Sequence, residues 1–198
     1  MMRPNLAQDK PPVELSIGGH SYSINTDFRV WIGVLHDLRN IYPTPKNAEQ
    51  AYHNAEIFAK IEEAVFGKVI KEKLENILAA ITEFAQGYPE PPIGEGSGPN
   101  VQTYSLDWDL NYIIIAIGTQ FGIDLTYRRK EPFHFWEFML YFRALCGDHY
   151  ILRLMEIRGY DGKDSELKRQ AQRFALPVEN TAEDEAVSDI FNELFYNA

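Results

Sequence analysis

The chain has 198 residues, of which 45% are hydrophobic and 24% are charged, and these values are ordinary for a globular protein. Its formal net charge of −10 argues against binding to the phosphates of nucleic acids. No segment approaches the roughly 20 consecutive apolar residues that cross a bilayer. We therefore expect one soluble, intracellular domain with neither nucleic acid nor membrane as a partner.

The chain begins with a polar, proline-bearing segment over residues 1–12, predicted to be flexible and lacking the apolar core of a secretory signal. The alternating pattern over residues 13–24 predicts a β-hairpin that turns at Gly18-Gly19, because two-residue turns favour glycine. A two-stranded hairpin is marginal alone, so we expect it to pack on helices. The predicted register places four apolar residues on one face, pairing Leu15 with Tyr22 and Val13 with Ile24.

Three helices are predicted next. The first follows the capping residues Asn25-Thr26-Asp27, the second covers residues 47–66, and the third covers residues 68–86 and ends at Gly87. Helical spacing predicts that the inward-facing residues are Phe28, Trp31, Ile32, Leu35 and Leu38 in the first helix, Tyr52, Ala55, Phe58 and Ile61 or Val65 in the second, and Ile70, Leu74, Ile77, Leu78, Ile81 and Phe84 in the third.

The sequence GYPEPPIGEGSGPN, residues 87–100, interrupts every periodicity with four prolines and four glycines. Such a composition is typical of a flexible connector, which we place over residues 87–103.

Five more helices are predicted after the connector, and the last of them is the C-terminal segment described below. One covers residues 107–120 and ends before Gly122, one begins near Asp148, and a basic helix covers residues 164–175. Between the first two, EPFHFWEFMLYFRAL (residues 131–145) predicts a helix with Pro132 in its first turn. Its apolar residues cover too wide an arc for a surface helix, so we expect it to be buried on most sides and to anchor the core through Phe135, Trp136, Phe138, Met139, Phe142 and Leu145.

The fold class predicted from these elements is mainly α, a helical domain over residues 13–177 with an N-terminal two-stranded β-hairpin. Residues 178–198 form a separate C-terminal segment, predicted to be an acidic amphipathic helix that begins near Thr181. From Ala175 to Ala198 the sequence has six acidic residues and no basic residue.

The C-terminal segment carries an apolar stripe with two alternative roles. The stripe either folds back on the core or binds a partner, in self-association or client binding. The candidate partner-binding residues are Val187, Ile190, Phe191, Leu194 and Phe195.

Candidate chemistry is sparse. Glu131 and His134 form a single E-x-x-H, which is half of the ligand set of a di-iron bundle, so we predict no metal site. The acidic sequence over residues 161–166 lacks calcium-loop spacing and is interpreted as a polar turn before a helix. The only cysteine, Cys146, excludes an internal disulfide, is typical of a reducing compartment, and is interpreted as a buried or half-buried structural thiol. We predict no catalytic residues and no cofactor, so the protein is not expected to be an enzyme.

Several stretches in order resemble a family of tail proteins from long-tailed bacteriophages and prophages of Gram-positive bacteria. The resemblance covers about residues 13–177. The stretches that carry it are the strand leading into INTDFR (24–29), the helix that begins at Asp107-Trp-Asp109 and ends in FGIDL (121–125), FHFWEF (133–138), MEIR (155–158) and the basic helix closing on FALP (174–177).

The resemblance implies a tail assembly chaperone of the host bacterial cytoplasm, which covers the phage tape-measure protein until tail tube subunits replace it. It implies other tail proteins as further partners and a homo-oligomer as a possible state, and it transfers no catalytic residue. Two alternatives stay open: a structural tail or head-completion component retained in the virion, and a small helical enzyme with a pocket near His134 and Glu137.

Overall fold

The structure is a computed structural model that describes residues 10–88 and 102–177. These residues form two compact units, one from residues 10–88 and 132–140 and the other from residues 102–131 and 141–177. The described residues contain one antiparallel hairpin and seven helices, which confirms the predicted mainly α class. The elements are β1 (Glu14–Ile17), β2 (His20–Ser23), α1 (Phe28–Arg39), α2 (Ala48–Phe66), α3 (Leu74–Ala85), α4 (Leu106–Phe121), α5 (Phe135–Arg143), α6 (Tyr150–Arg158) and α7 (Ser165–Arg173).

The hairpin has the predicted turn and register. Gly18 and Gly19 have φ values of +58° and +86°, which are strained for any residue with a side chain. Leu15 pairs with Tyr22, and the N–H of Ile24 donates to the carbonyl of Val13 at 3.0 Å. The inward orientation predicted for Val13 is wrong, since its side chain is 60% exposed. The strand begins one residue later, and Leu15 and Ile17 are the residues buried where β1 packs on α3.

The third helix begins at Leu74 and not near residue 68, because the preceding residues are held by side chains in another conformation. The Ile70 N–H donates to the Glu62 carboxylate at 3.0 Å, and Glu72 accepts from the Tyr22 hydroxyl at 2.8 Å and from the His20 ring at 2.9 Å. Leu74, predicted to face inward, is 45% exposed at the start of the shortened helix.

The buried face of α2 differs from the prediction. Ile61 and Val65 are buried as predicted, but Tyr52 is 73% exposed and Ala55 is also exposed. The buried face instead includes Asn54, whose side-chain amide bonds the backbone N–H and carbonyl of Tyr42 at 2.9 and 2.8 Å. A polar residue whose amide is satisfied by the backbone can be buried, and hydrophobic spacing does not predict it.

The start of α5 is set by pairing with the residues before α1. The Phe28 N–H donates to the Phe133 carbonyl, and the Phe135 N–H donates to the Thr26 carbonyl, both at 2.8 Å. Residues 133 and 134 are therefore held in a bridge, and the helix begins at Phe135. The prediction that Pro132 lies in the first turn of this helix is wrong for this reason.

The core of the first unit is aromatic. Phe28 stacks on Phe138 with ring centroids 4.7 Å apart, and Trp31 contacts Phe84 at 4.1 Å and Phe135 at 5.9 Å. All five side chains are nearly inaccessible to solvent. Aromatic rings buried at these separations contribute strongly to the apolar stabilisation of the unit.

In the second unit, α6 packs against both α4 and α7. Helix α4 begins and ends within one residue of its predicted bounds, with the Ser105 hydroxyl as N-cap and Gly122 as C-cap. Helix α7 begins after Asp164, whose carboxylate accepts from the N–H groups of Glu166 and Leu167, so the polar sequence before it is a helix cap. Among the described residues, no helix is long and apolar enough to cross a membrane.

Candidate interaction surface

The five candidate partner-binding residues from the sequence, Val187, Ile190, Phe191, Leu194 and Phe195, lie outside the described residues. The same holds for the segment 178–198 that contains them, for residues 1–9, and for residues 89–101 of the predicted connector. The candidate surface described below is therefore built from other residues, in the second unit.

His134, the histidine of the single E-x-x-H, has both ring nitrogens occupied by the backbone. Its Nδ1 accepts from the Trp136 N–H at 3.0 Å, so Nε2 carries the proton and donates to the Pro12 carbonyl at 2.9 Å. Burial lowers the pKa of His134 and favours the neutral ring. In the part of the chain that the structure describes, no three His, Cys, Asp or Glu side chains form a metal-binding group.

Cys146 is exposed, and the interpretation as a buried or half-buried structural thiol is wrong. The residue lies in the loop between α5 and α6, which Gln120 holds from outside the loop. The Gln120 amide oxygen accepts from the Cys146 N–H and from the His149 ring, both at 3.0 Å, and its amide nitrogen donates to the Ala144 carbonyl at 3.1 Å. The loop is fixed through its backbone, which leaves the thiol in solvent.

The largest concentration of exposed apolar side chains on one element of the second unit lies on α4. Trp108, Tyr112 and Ile115 are 58%, 43% and 64% exposed. Their spacing of four and then three residues places them within an arc of about 60° on one face of the helix, over a length of about 10 Å. We call these three residues, together with Tyr150, the α4 stripe.

Tyr150 extends this surface from α4 onto α6. Its ring contacts that of Tyr112 edge to face, with centroids 4.8 Å apart, and 45% of the residue is exposed. Edge-to-face contact fixes the relative orientation of the two rings while leaving their outer surfaces accessible. The stripe is thus a two-helix surface with aromatic side chains that are already ordered.

The opposite face of α4 explains why the stripe is exposed. Ile113, Ala116 and Ile117 are buried, and by helical spacing they lie on a different side of the helix from the stripe. Both sides of the helix are apolar, but the unit covers only the side with Ile113, Ala116 and Ile117. The stripe is the apolar row left over.

A buried polar group fixes the first turn of α4, next to Trp108. Asp109 is buried and forms an ion pair with Arg158 of α6, while its carboxylate also accepts from the Ser105 N–H at 2.9 Å. Arg158 donates further to the carbonyls of Thr103 at 3.0 Å and Phe174 at 2.8 Å. These bonds hold the start of α4 and the end of α7 to α6, so the stripe lies on a fixed scaffold.

The sequence predicted α4 but not its exposed stripe. The helix α4 is apolar on most sides, and such a pattern predicts a buried helix. The available signal was the presence of two apolar rows, one through Trp108, Tyr112 and Ile115 and one through Ile113, Ala116 and Ile117. Their spacing does not tell which row is covered.

Comparison with known proteins identifies the family of the chain. The model of a family described as Bacteriophage Gp15 protein matches residues 8–176, which include the hairpin, all seven described helices and the α4 stripe. The acidic segment 178–198 follows the matched range. No curated protein and no solved structure matches the chain.

Proposed function

This chain belongs to the bacteriophage Gp15 protein family, and from that premise we propose that it is a non-enzymatic tail assembly chaperone. In this role it binds the phage tape-measure protein in the host bacterial cytoplasm while the tail is built, and other tail proteins later take its place. Both the family match and the resemblance to tail assembly chaperones extend over most of the chain.

The observation that carries the proposal is the α4 stripe. Monomeric soluble proteins rarely leave several large apolar side chains exposed in one row, and such patches mark binding sites for proteins. Tryptophan and tyrosine are also the residues that contribute most to the energy of protein interfaces. A helical client with an apolar stripe of its own would bind here as a helix laid along a groove.

The overall charge suits this role. A net charge of −10 keeps the protein soluble through mutual repulsion while an apolar surface remains open to a client. The role needs affinity and release but no bond-breaking chemistry, and the backbone bonds of His134 leave its ring without a free nitrogen.

Co-expression with the tape-measure protein of the same phage, followed by pull-down through a tag on this chain, tests the proposal. The wild type should retain the tape-measure protein, and the double variant Trp108→Ala/Ile115→Ala should lose most of it. The matched control is Tyr52→Ala/Val69→Ala, which removes two side chains of similar exposure from the first unit and should bind as the wild type does.

Mass spectrometry of purified virions separates this role from that of a virion component. A chaperone should be absent from finished particles, whereas retention at a fixed number of copies per tail would contradict the proposal. Equal retention of the tape-measure protein by the α4 variant and the control would remove the assignment of the stripe.

A further inference from the structure

We propose that, before a client arrives, the α4 stripe is covered by the C-terminal segment (residues 181–198) of a second copy of this chain. The inference rests on the proposed function for the identity of the client, and adds how the client site is occupied in its absence. It assigns the apolar row of the C-terminal sequence as the partner of the exposed apolar row on α4.

The two apolar rows match in type and length. The C-terminal sequence has apolar residues spaced by three, one, three and one positions, which is the spacing of one face of a helix. As a helix, the row from Val187 to Phe195 would extend about 12 Å, against about 10 Å for the row from Trp108 to Ile115. Both rows combine aromatic and aliphatic residues, so each offers large apolar groups to the other.

Electric charge favours the second unit as the site for this segment. Residues 178–198 carry six acidic and no basic side chains. The described part of the first unit has eleven acidic and eight basic residues, whereas that of the second unit has nine acidic and ten basic residues. The formal net charge is therefore −3 for the first unit and +1 for the second, so the second unit, which bears the stripe, opposes an acidic segment less than the first.

The length of the chain after the described residues allows such an exchange. The described part of the second unit ends at Pro177, three residues after Phe174, whose carbonyl accepts from Arg158, and 21 residues follow Pro177. A segment of that length is long enough to reach a second copy of the chain. Each copy then has one stripe to offer and one segment to donate.

Contact between two different surfaces of the same chain is heterologous, so association can continue from copy to copy. In such a series each occupied stripe becomes available to a client only when the bound segment is displaced. The segment would also keep the stripe from aggregating, because it replaces water on the apolar surface with a complementary apolar row.

Light scattering on the purified chain, without any client, tests the inference. The full chain should form oligomers whose mass rises with concentration. Deletion of residues 181–198 and, separately, Trp108→Ala/Ile115→Ala should each give monomers, while Tyr52→Ala/Val69→Ala should behave as the wild type does. A full chain that stays monomeric, or a stripe variant that still associates, would overturn the inference.

Mixing the two defective proteins gives the sharper test. The deleted chain retains its stripe and the stripe variant retains its segment, so the mixture should form a one-to-one dimer although neither component associates alone. Absence of that dimer would overturn exchange between copies.

A synthetic peptide of residues 181–198 should bind the deleted chain at least about tenfold more tightly than the same chain carrying Trp108→Ala/Ile115→Ala. A scrambled peptide of equal charge is the control. Because no tape-measure protein is present, these outcomes are independent of whether the client binds.

Discussion

Arg158 and Asp109 form a two-point ion pair inside the second unit, with Nη1 to Oδ2 at 2.6 Å and Nη2 to Oδ1 at 3.1 Å. The side chains are only 9% and 2% exposed. Such a pair is stable because every polar atom has a partner, and removal of one charge leaves the other buried without compensation. The pair therefore joins α4 to α6 at the turn that carries Trp108.

The variant Asp109→Ala should lower the free energy of unfolding by about 3–5 kcal/mol, because it strands the Arg158 guanidinium and removes the acceptor of the Ser105 N–H. Chemical denaturation measures this change. The control is Glu166→Ala, which breaks the exposed pair of Glu166 with Arg169 and should cost less than about 1 kcal/mol. Similar small costs for both variants would contradict the role assigned to the buried pair.

Asp27 should make the stability of the protein depend on pH in the acidic range. Burial acts to raise the pKa of this carboxyl, but its bonds with the Arg29 side chain and with the N–H groups of Arg29 and Phe133 outweigh burial and lower the pKa. A lowered folded-state pKa means that the stabilisation is complete above the ordinary Asp pKa near 4 and is lost as pH falls through the folded-state value.

The variant Asp27→Asn keeps an N-cap side chain but removes the charge. At neutral pH it should be less stable than the wild type by about 1–2 kcal/mol, and the difference should shrink as pH falls below about 4. Urea denaturation at neutral pH and near pH 3 measures both differences. Asp148, which forms an exposed ion pair with Arg153, provides the control. Asp148→Asn should change the free energy of unfolding little at either pH. A difference that stays constant with pH would contradict the assignment.

Substitution by alanine should lower the stability of the protein strongly at Trp136 and little at Trp108. The Trp136 indole N–H donates to the Phe84 carbonyl at 2.7 Å, and its ring packs on Phe84 and Tyr88. Trp136→Ala should therefore cost about 3 kcal/mol and lower the melting temperature clearly. Trp108→Ala removes a mainly exposed ring and should leave the melting temperature within a few degrees of the wild type. Unchanged melting of Trp136→Ala would show that its contacts do not stabilise the unit.

The parts of the fold that the sequence predicted are those set by local spacing. The glycine turn determines the hairpin register, and apolar residues at helical intervals predict α1, α2 and α4 within a few residues. The predicted helix boundaries were wrong where contacts with residues distant in the sequence determine them. The start of α5 depends on residues 26–28, more than a hundred positions earlier, and the start of α3 depends on Glu72 bonding to the hairpin.

The candidate site was beyond prediction for a related reason. Hydrophobic periodicity identifies apolar rows on a helix but not the elements that pack on them. It therefore predicted that Tyr52 is buried. It did not identify the row of Trp108, Tyr112 and Ile115 as exposed. Asn54 shows the converse, since a polar residue enters the core when backbone groups satisfy its amide. Exposure of a row is decided by which element packs on it, and that is a property of the tertiary fold.

Client binding and self-association should compete, because both proposals place their partner on the α4 stripe. Adding the tape-measure segment that is retained in pull-down should convert oligomers of the full chain into complexes with the client, and should release the labelled 181–198 peptide from the deleted chain. Fluorescence anisotropy of that peptide measures the release. The exchange should need more client for the full chain than for the deleted chain, because the segment of a second copy must first be displaced. Formation of a complex that contains both the bound peptide and the client would show that the two partners use separate surfaces.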